Sequence, residues 1–173
     1  FQVGNAVGVF GLRSRVLELT LNGNSDAYVV KVWHWRRSLA QVEKMLYHYK
    51  RVHQVLGEMT VEPIGVIEVE PGVFGMVMER IPQEHVEWSN ARVSQRSLRD
   101  LEEIRQALIK AKIQVDELQM TNLPGGRLKL YDLDELASWD IRDPLGWGGS
   151  RRQMVQVLSH WEKRIATTLL QAN

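Results

Sequence analysis

The chain has no cysteine, which excludes a disulfide framework, a thiolate metal site and a cysteine nucleophile, and suits a reducing compartment. Neither sign of charge prevails: 22 Lys and Arg against 21 Asp and Glu leave a net charge of +1. No global field draws such a chain onto DNA or an anionic membrane, so any polyanion has to be held by a local site. No apolar run approaches the ~18 residues that a membrane-spanning helix needs, and no internal repeat or low-complexity tract is present. What is there is the composition of a soluble globular protein, 44% hydrophobic and 25% charged, with too much apolar surface for the disordered class. At 173 residues it fits one domain or two small lobes, at roughly 100–200 residues per domain, which excludes a fused multidomain enzyme. It begins at Phe1 in mid-pattern, so a targeting segment removed ahead of it would leave no trace.

The first third reads as strands. Leu17, Leu19 and Leu21 alternate with Glu18 and Thr20, Asn22-Gly23 supplies a tight hairpin turn, and Ala27 to Val32 is the returning strand. From Ser38 the period becomes helical, with Leu39, Val42, Leu46 and Tyr49 on one face and Ser38 with Gln41 as a capping box. A second hairpin, Ile64 to Val69 and Val73 to Met78, turns at Glu70-Pro71-Gly72. Ile81-Pro82 ends this region, which predicts an N-terminal lobe over residues 1–81 and a second lobe over 82–173. In the second lobe, Gln83 to Arg96 reads as a polar linker. Ser97 is the expected cap of a helix carrying Leu98, Leu101, Ile104, Leu108 and Ile109. A short strand, Leu128 to Tyr131, runs into Asp132-Leu-Asp-Glu135. A final helix is expected from Ser150, after a Gly146 to Gly149 loop, with Trp139, Trp147 and Trp161 as core anchors of this lobe.

Three constellations could carry chemistry. Small residues in Ala6-Val-Gly8-Val-Phe10-Gly11 would let backbone N–H groups approach phosphate oxygens, although a plain strand turn has the same composition. Lys31 sits in an apolar strand, where a buried ammonium needs an anionic partner and a surface one needs none. Glu43 lies beside Val42 and Leu46 on the first helix and is either a solvated residue or the carboxylate that orients Lys31 toward a phosphate.

Taken in order, Ala6 to Gly11, Val29-Val30-Lys31, Glu43 and Met76-Val-Met78-Glu79-Arg-Ile81 resemble the small lobe of a protein kinase: its glycine-rich loop, nucleotide-gripping lysine, helix glutamate and hinge. Glu117-Leu-Gln-Met-Thr-Asn122 and Leu128-Lys-Leu-Tyr-Asp132 are similar to the catalytic loop and the strand into the metal-binding aspartate. The resemblance implies an α+β, two-lobe, kinase-like fold with a curled antiparallel sheet, one helix packed on it and a reduced, mostly helical second lobe. It implies ATP under Gly8, Phe10 and Gly11, its base against Met78, Glu79 and Ile81, its phosphates at Lys31, and Mg²⁺ on Asn122 and Asp132. Spacing to Asn122 makes Glu117 the catalytic acid, while the shorter side chain favours Asp116. Val115 stands where the family has His, and Asp132-Leu-Asp134 where it has Asp-Phe-Gly. Only 41 residues follow Asp132, so the chain is similar to the truncated kinase-fold effectors that bacterial pathogens deliver into host cells.

The implied function is transfer of the γ-phosphoryl group of Mg-ATP to a Ser or Thr hydroxyl of a protein. The alternatives are a pseudokinase binding module and a small-molecule phosphotransferase of the aminoglycoside kinase type. A protein substrate and an activating host or partner protein are the implied partners, with a cytoplasmic location or delivery to a host cytosol. The basic, aromatic segment 31–53 could serve nucleic acid, but without a recognised motif it reads as a solvated helix face with partner-binding potential. Neither nucleic acid nor a membrane span is expected, and His34 and His48 lack further ligands at metal-site spacing.

Overall fold

The computed structural model describes residues 1–7, 14–113, 118–133 and 144–172. They form two compact units, Phe1–Arg51 with Val61–Val86, and Val52–Thr60 with Glu87–Asn173. The division expected at residue 81 differs by residues 82–86, and by the segment 52–60. That segment belongs to the second unit through a parallel bridge of Thr60 to Leu130 and a 2.6 Å ion pair of Glu58 with Arg127. The expected α+β class is what the chain forms: an antiparallel five-stranded sheet with several helices.

The first unit holds that sheet, β1 (Gln2–Ala6), β2 (Ser14–Leu21), β3 (Asn24–Trp33), β4 (Pro63–Glu70) and β5 (Val73–Glu79), in the order β1-β2-β3-β5-β4. The β2–β3 turn forms where Asn22-Gly23 predicts it, with φ of 51° and 81°, the mirror-image geometry that suits the twist of a two-residue hairpin. Leu17 faces Val30 across β2 and β3, and these two with Val32 are buried with Val3, Ile67, Val69 and Val73 packed against them. Between β3 and β4 the chain forms α1 (Leu39–Leu56). Its start is the predicted capping box, with Ser38 N–H donating to Gln41 Oε1 at 2.9 Å and Gln41 N–H to Ser38 Oγ at 3.3 Å.

The stretch 83–96 is not the linker its polarity suggests. It holds a short helix α2 (Gln83–Val86), a 3₁₀ turn Asn90–Arg92 and the start of α3 (Gln95–Ala111). The α3 cap is Ser94, three residues earlier than expected; Ser97 is its reciprocal partner, and donates to Gly126 O at 2.7 Å. Leu101, Ile104 and Leu108 fill the core while Leu98 stays half-buried. A two-stranded sheet follows, β6 (Gln119–Asn122) and β7 (Leu128–Asp132). The buried Asp100 carboxylate fastens α3 to it, accepting from Leu128 N–H at 3.0 Å and from Arg96 Nε at 2.7 Å.

The last helix, α4 (Pro144–Gln171), begins six residues before Ser150 and runs through the expected glycine loop. Proline at the first helical position lacks only an N–H that would have no partner there. Trp161 is buried as expected, 4.9 Å from Trp88, with the Arg164 guanidinium over both rings at 5.2 and 5.0 Å. Trp139 and the Trp147 side chain lie outside the described residues. No helix among the described residues is long and apolar enough to cross a membrane.

Candidate functional site

In the first unit, alternation along β3 puts Val29, Lys31 and Trp33 on one face and Val30 and Val32 on the other. Lys31 is only 4% exposed, and its register partners are Val16 on β2 and Met76 on β5. Val29 pairs with Met78, so an apolar pair lies two residues, about 7 Å, along the same face from the lysine. An ammonium placed in such surroundings is costly unless an anionic group meets it.

Beyond Met78, the chain leaving β5 is held by the sheet. Glu79 N–H donates to Glu62 O at 2.9 Å and the Glu79 carboxylate accepts from Glu62 N–H at 3.0 Å. Arg80 N–H donates to Ala27 O at 3.0 Å, and its guanidinium reaches Glu18 at 3.5 Å. Pro82 has no N–H, so these bonds leave Ile81 as the one main-chain donor of Glu79–Pro82 not used in them. Of the N–H groups implied for the base contact at Glu79 to Ile81, Ile81 is thus the one these bonds leave.

The expected pairing of Glu43 with Lys31 is not brought together. The buried side of α1 carries Val42, Tyr49, Val52 and Leu56, and Glu43 is exposed. A carboxylate holding so buried a lysine would share its burial. Gly8, Phe10 and Gly11, between β1 and β2, lie outside the described residues.

In the second unit, Asn122 and Asp132 are not a metal pair. Asn122 is fully buried, and its Oδ1 accepts from Ser89 N–H at 3.0 Å and Arg92 Nε at 3.3 Å while its Nδ2 donates to Ser89 O at 2.7 Å. Its amide serves to hold the 89–92 turn. The register adds a second reason: Asn122 faces Leu128, whereas Asp132 faces Gln119. Three residues of β6, about 10 Å, thus separate Asn122 from the position opposite Asp132. Two oxygens bound to one Mg²⁺ lie no more than roughly 4 Å apart.

Gln119 is the residue the sequence reading passed over. It is exposed and stands directly across from Asp132, at a separation from which an amide oxygen and a carboxylate can meet one hard cation. Counting outward from the Leu123-Pro-Gly-Gly126 turn pairs residue 122 with 128 but would carry 119 to 131; a register shift between Gln119 and Met120 brings Gln119 opposite Asp132, so nothing in the sequence marks it. Next to Asp132, the Tyr131 hydroxyl is pushed above its usual pKa by burial and then by the Asp132 charge. Val115, Asp116, Glu117 and Asp134 lie outside the described residues. Among the described residues no group of three or more His, Cys, Asp or Glu could hold a metal.

The role of Asn122 gives an expected outcome. Asn122→Ala should destabilise the second unit by about 1–2 kcal/mol, because it removes the acceptor of the part-buried Ser89 N–H and of Arg92 Nε, while Ser89 C=O keeps its bond from Arg92 N–H. Urea denaturation with and without Mg²⁺ checks this: the loss should be the same in both, whereas a metal ligand would lose stability mainly in the presence of Mg²⁺. Compared with known proteins, the chain matches no family model and none of the curated proteins.

Proposed function

We propose that this protein binds Mg-ATP and transfers its γ-phosphoryl group to a protein hydroxyl, within a kinase-like two-lobe fold. The observation that carries the reading is Lys31: a cation buried in the middle strand of the sheet, beside the apolar Val29–Met78 pair, on a strand whose neighbour β5 runs into a segment offering Ile81 N–H. An apolar slab for a base, a donor at its edge and a cation about 7 Å further on match the parts of a nucleotide. Val29 and Met78 take the base face, Ile81 N–H donates to its edge, and Lys31 grips phosphate oxygens.

In the second unit, Asp132 and Gln119 are the side chains that would hold magnesium, a hard cation that takes oxygen ligands. One of Asp116 and Glu117 orients the acceptor hydroxyl and takes its proton. The hydroxyl oxygen forms the new bond to the γ-phosphorus as the bond to the bridging oxygen breaks, and ADP leaves. A second reading, nucleotide binding without transfer, is favoured by Asn122, whose amide is committed to the 89–92 turn. Incubation with ATP labelled on the γ-phosphate, against protein mixtures and small hydroxyl and amine acceptors, separates the readings. Label in protein acceptors supports the proposal, and label in small acceptors alone points to a small-molecule phosphotransferase. Bound ATP with no transfer points to the binding module.

A further inference from the structure

We propose that the exposed face of α1, with the residues that lead into it, is a docking surface for an acidic protein segment carrying apolar side chains. This inference is independent of the nucleotide reading. At about 100° per residue, Leu39, Glu43 and Tyr47 form a row that starts beside the buried Val42–Tyr49 side at Leu39, which stays exposed rather than joining the core face expected for it, and turns away from that side toward Tyr47. Tyr47 keeps 60% of its surface exposed and Leu39 42%, and Trp35, three residues ahead of the Ser38 cap, keeps 68%. Large apolar side chains left in water within one short stretch of chain mark a surface that is covered in use.

Charge says by what. Between His34 and Arg51 there are five cations, Arg36, Arg37, Lys44, Lys50 and Arg51, and one carboxylate, Glu43. That local excess of four stands in a chain whose net charge is +1. The first turn of α1 has no acidic residue to complement the helix dipole, so nothing there offsets the field. His48 reports the same surroundings: burial first, then Lys44 and Arg51, hold its imidazole below its usual pKa.

A protein segment fits better than nucleic acid, because aliphatic Leu39 offers no ring for a base to stack on and its exposed surface is matched by an apolar side chain. Tyr, Trp and Arg together are the residues that anchor protein interfaces. Complementary charge would speed encounter and make binding fall with salt.

The test is fluorescence anisotropy with a labelled amphipathic peptide of about 20 residues, leucine on one face and glutamate on the other. Its comparisons are the same peptide with lysine for glutamate and a single-stranded oligonucleotide of equal charge. The acidic peptide should bind the full chain, at least tenfold more tightly than the lysine version, and weaken about tenfold or more between about 50 and 300 mM salt. Tyr47→Ala and Lys44→Glu, both at exposed positions, should each weaken it about tenfold with the melting temperature unchanged. The proposal is overturned if the lysine peptide binds as well, if neither substitution alters affinity, or if the oligonucleotide binds more tightly than the acidic peptide.

Discussion

Replacing Lys31 with methionine should lower phosphoryl transfer by about 10²–10³-fold, the loss seen when one preorganised group that stabilises developing charge is removed. Methionine keeps the length and the apolar stem, so the strand can still pack between Val16 and Met76 while the phosphate oxygens lose their cation. Turnover with labelled ATP, alongside a melting curve showing that the variant is folded at the assay temperature, is the measurement. The same comparison with Glu43→Gln should show a much smaller loss, because Glu43 is exposed. A Lys31→Met variant with full turnover would remove the lysine from the mechanism.

The largest effect on stability is expected at Gly126. Its φ is +79°, and a Cβ there would lie 2.0 Å from Ser94 Oγ, 2.9 Å from Ser94 Cβ and 3.1 Å from Arg92 O. Ser94 caps α3, so alanine at 126 has to displace a helix cap as well as adopt a left-handed backbone. Left-handed strain of about 1–2 kcal/mol, overpacking of about 1–3 and a weakened cap of about 1 together put the cost of Gly126→Ala at about 3 kcal/mol or more. For a chain of this size that lowers the melting temperature by about 10 °C. Gly125 is the control: its φ is +77°, but nothing stands within 4 Å of its Cβ position. Gly125→Ala should cost only the backbone strain, about 1–2 kcal/mol. Equal losses at the two positions would show that the close approach to Ser94 does not matter.

The features legible in the sequence are those fixed by neighbours along the chain. Asn22-Gly23 set the β2–β3 turn, and Ser38 with Gln41 set the start of α1, because in each case the bonding groups lie within four residues of one another. β1 was not legible: Val3 is its one half-buried residue, so no alternation announces a strand that exists by pairing with β2. β6 was hidden for the opposite reason, since Met120, Thr121 and Asn122 are all buried. Its polar residues read as a loop until their partners in β7 and the 89–92 turn are seen. Ser94 and Ser97 bond each other reciprocally, so either could be read as the cap, and the Gly125–Gly126 turn that fixes the choice is distant in sequence. In α4 the glycines at 146, 148 and 149 argue for a loop by propensity, yet the helix from Pro144 includes them.

Site residues divided the same way. The burial of Lys31 in an apolar strand follows from its local pattern, whereas the use of Asn122 depends on contacts with Ser89 and Arg92, thirty and more residues away. Gln119 gains its place only through the register of a hairpin.

The central claim is that this chain binds a nucleotide through the face of β3 that carries Lys31, and thermal unfolding with and without Mg-ATP tests it most directly. A ligand that binds only the folded chain stabilises it by mass action, by about 2.7 kcal/mol at a hundredfold excess over the dissociation constant. For a chain of this size that is a rise of about 5–10 °C in melting temperature. The account predicts such a rise with millimolar Mg-ATP, reduced in Lys31→Met and in Val29→Glu, which puts a carboxylate where the base would lie. An unchanged melting temperature at millimolar Mg-ATP, or an equal rise in all three proteins, would contradict it.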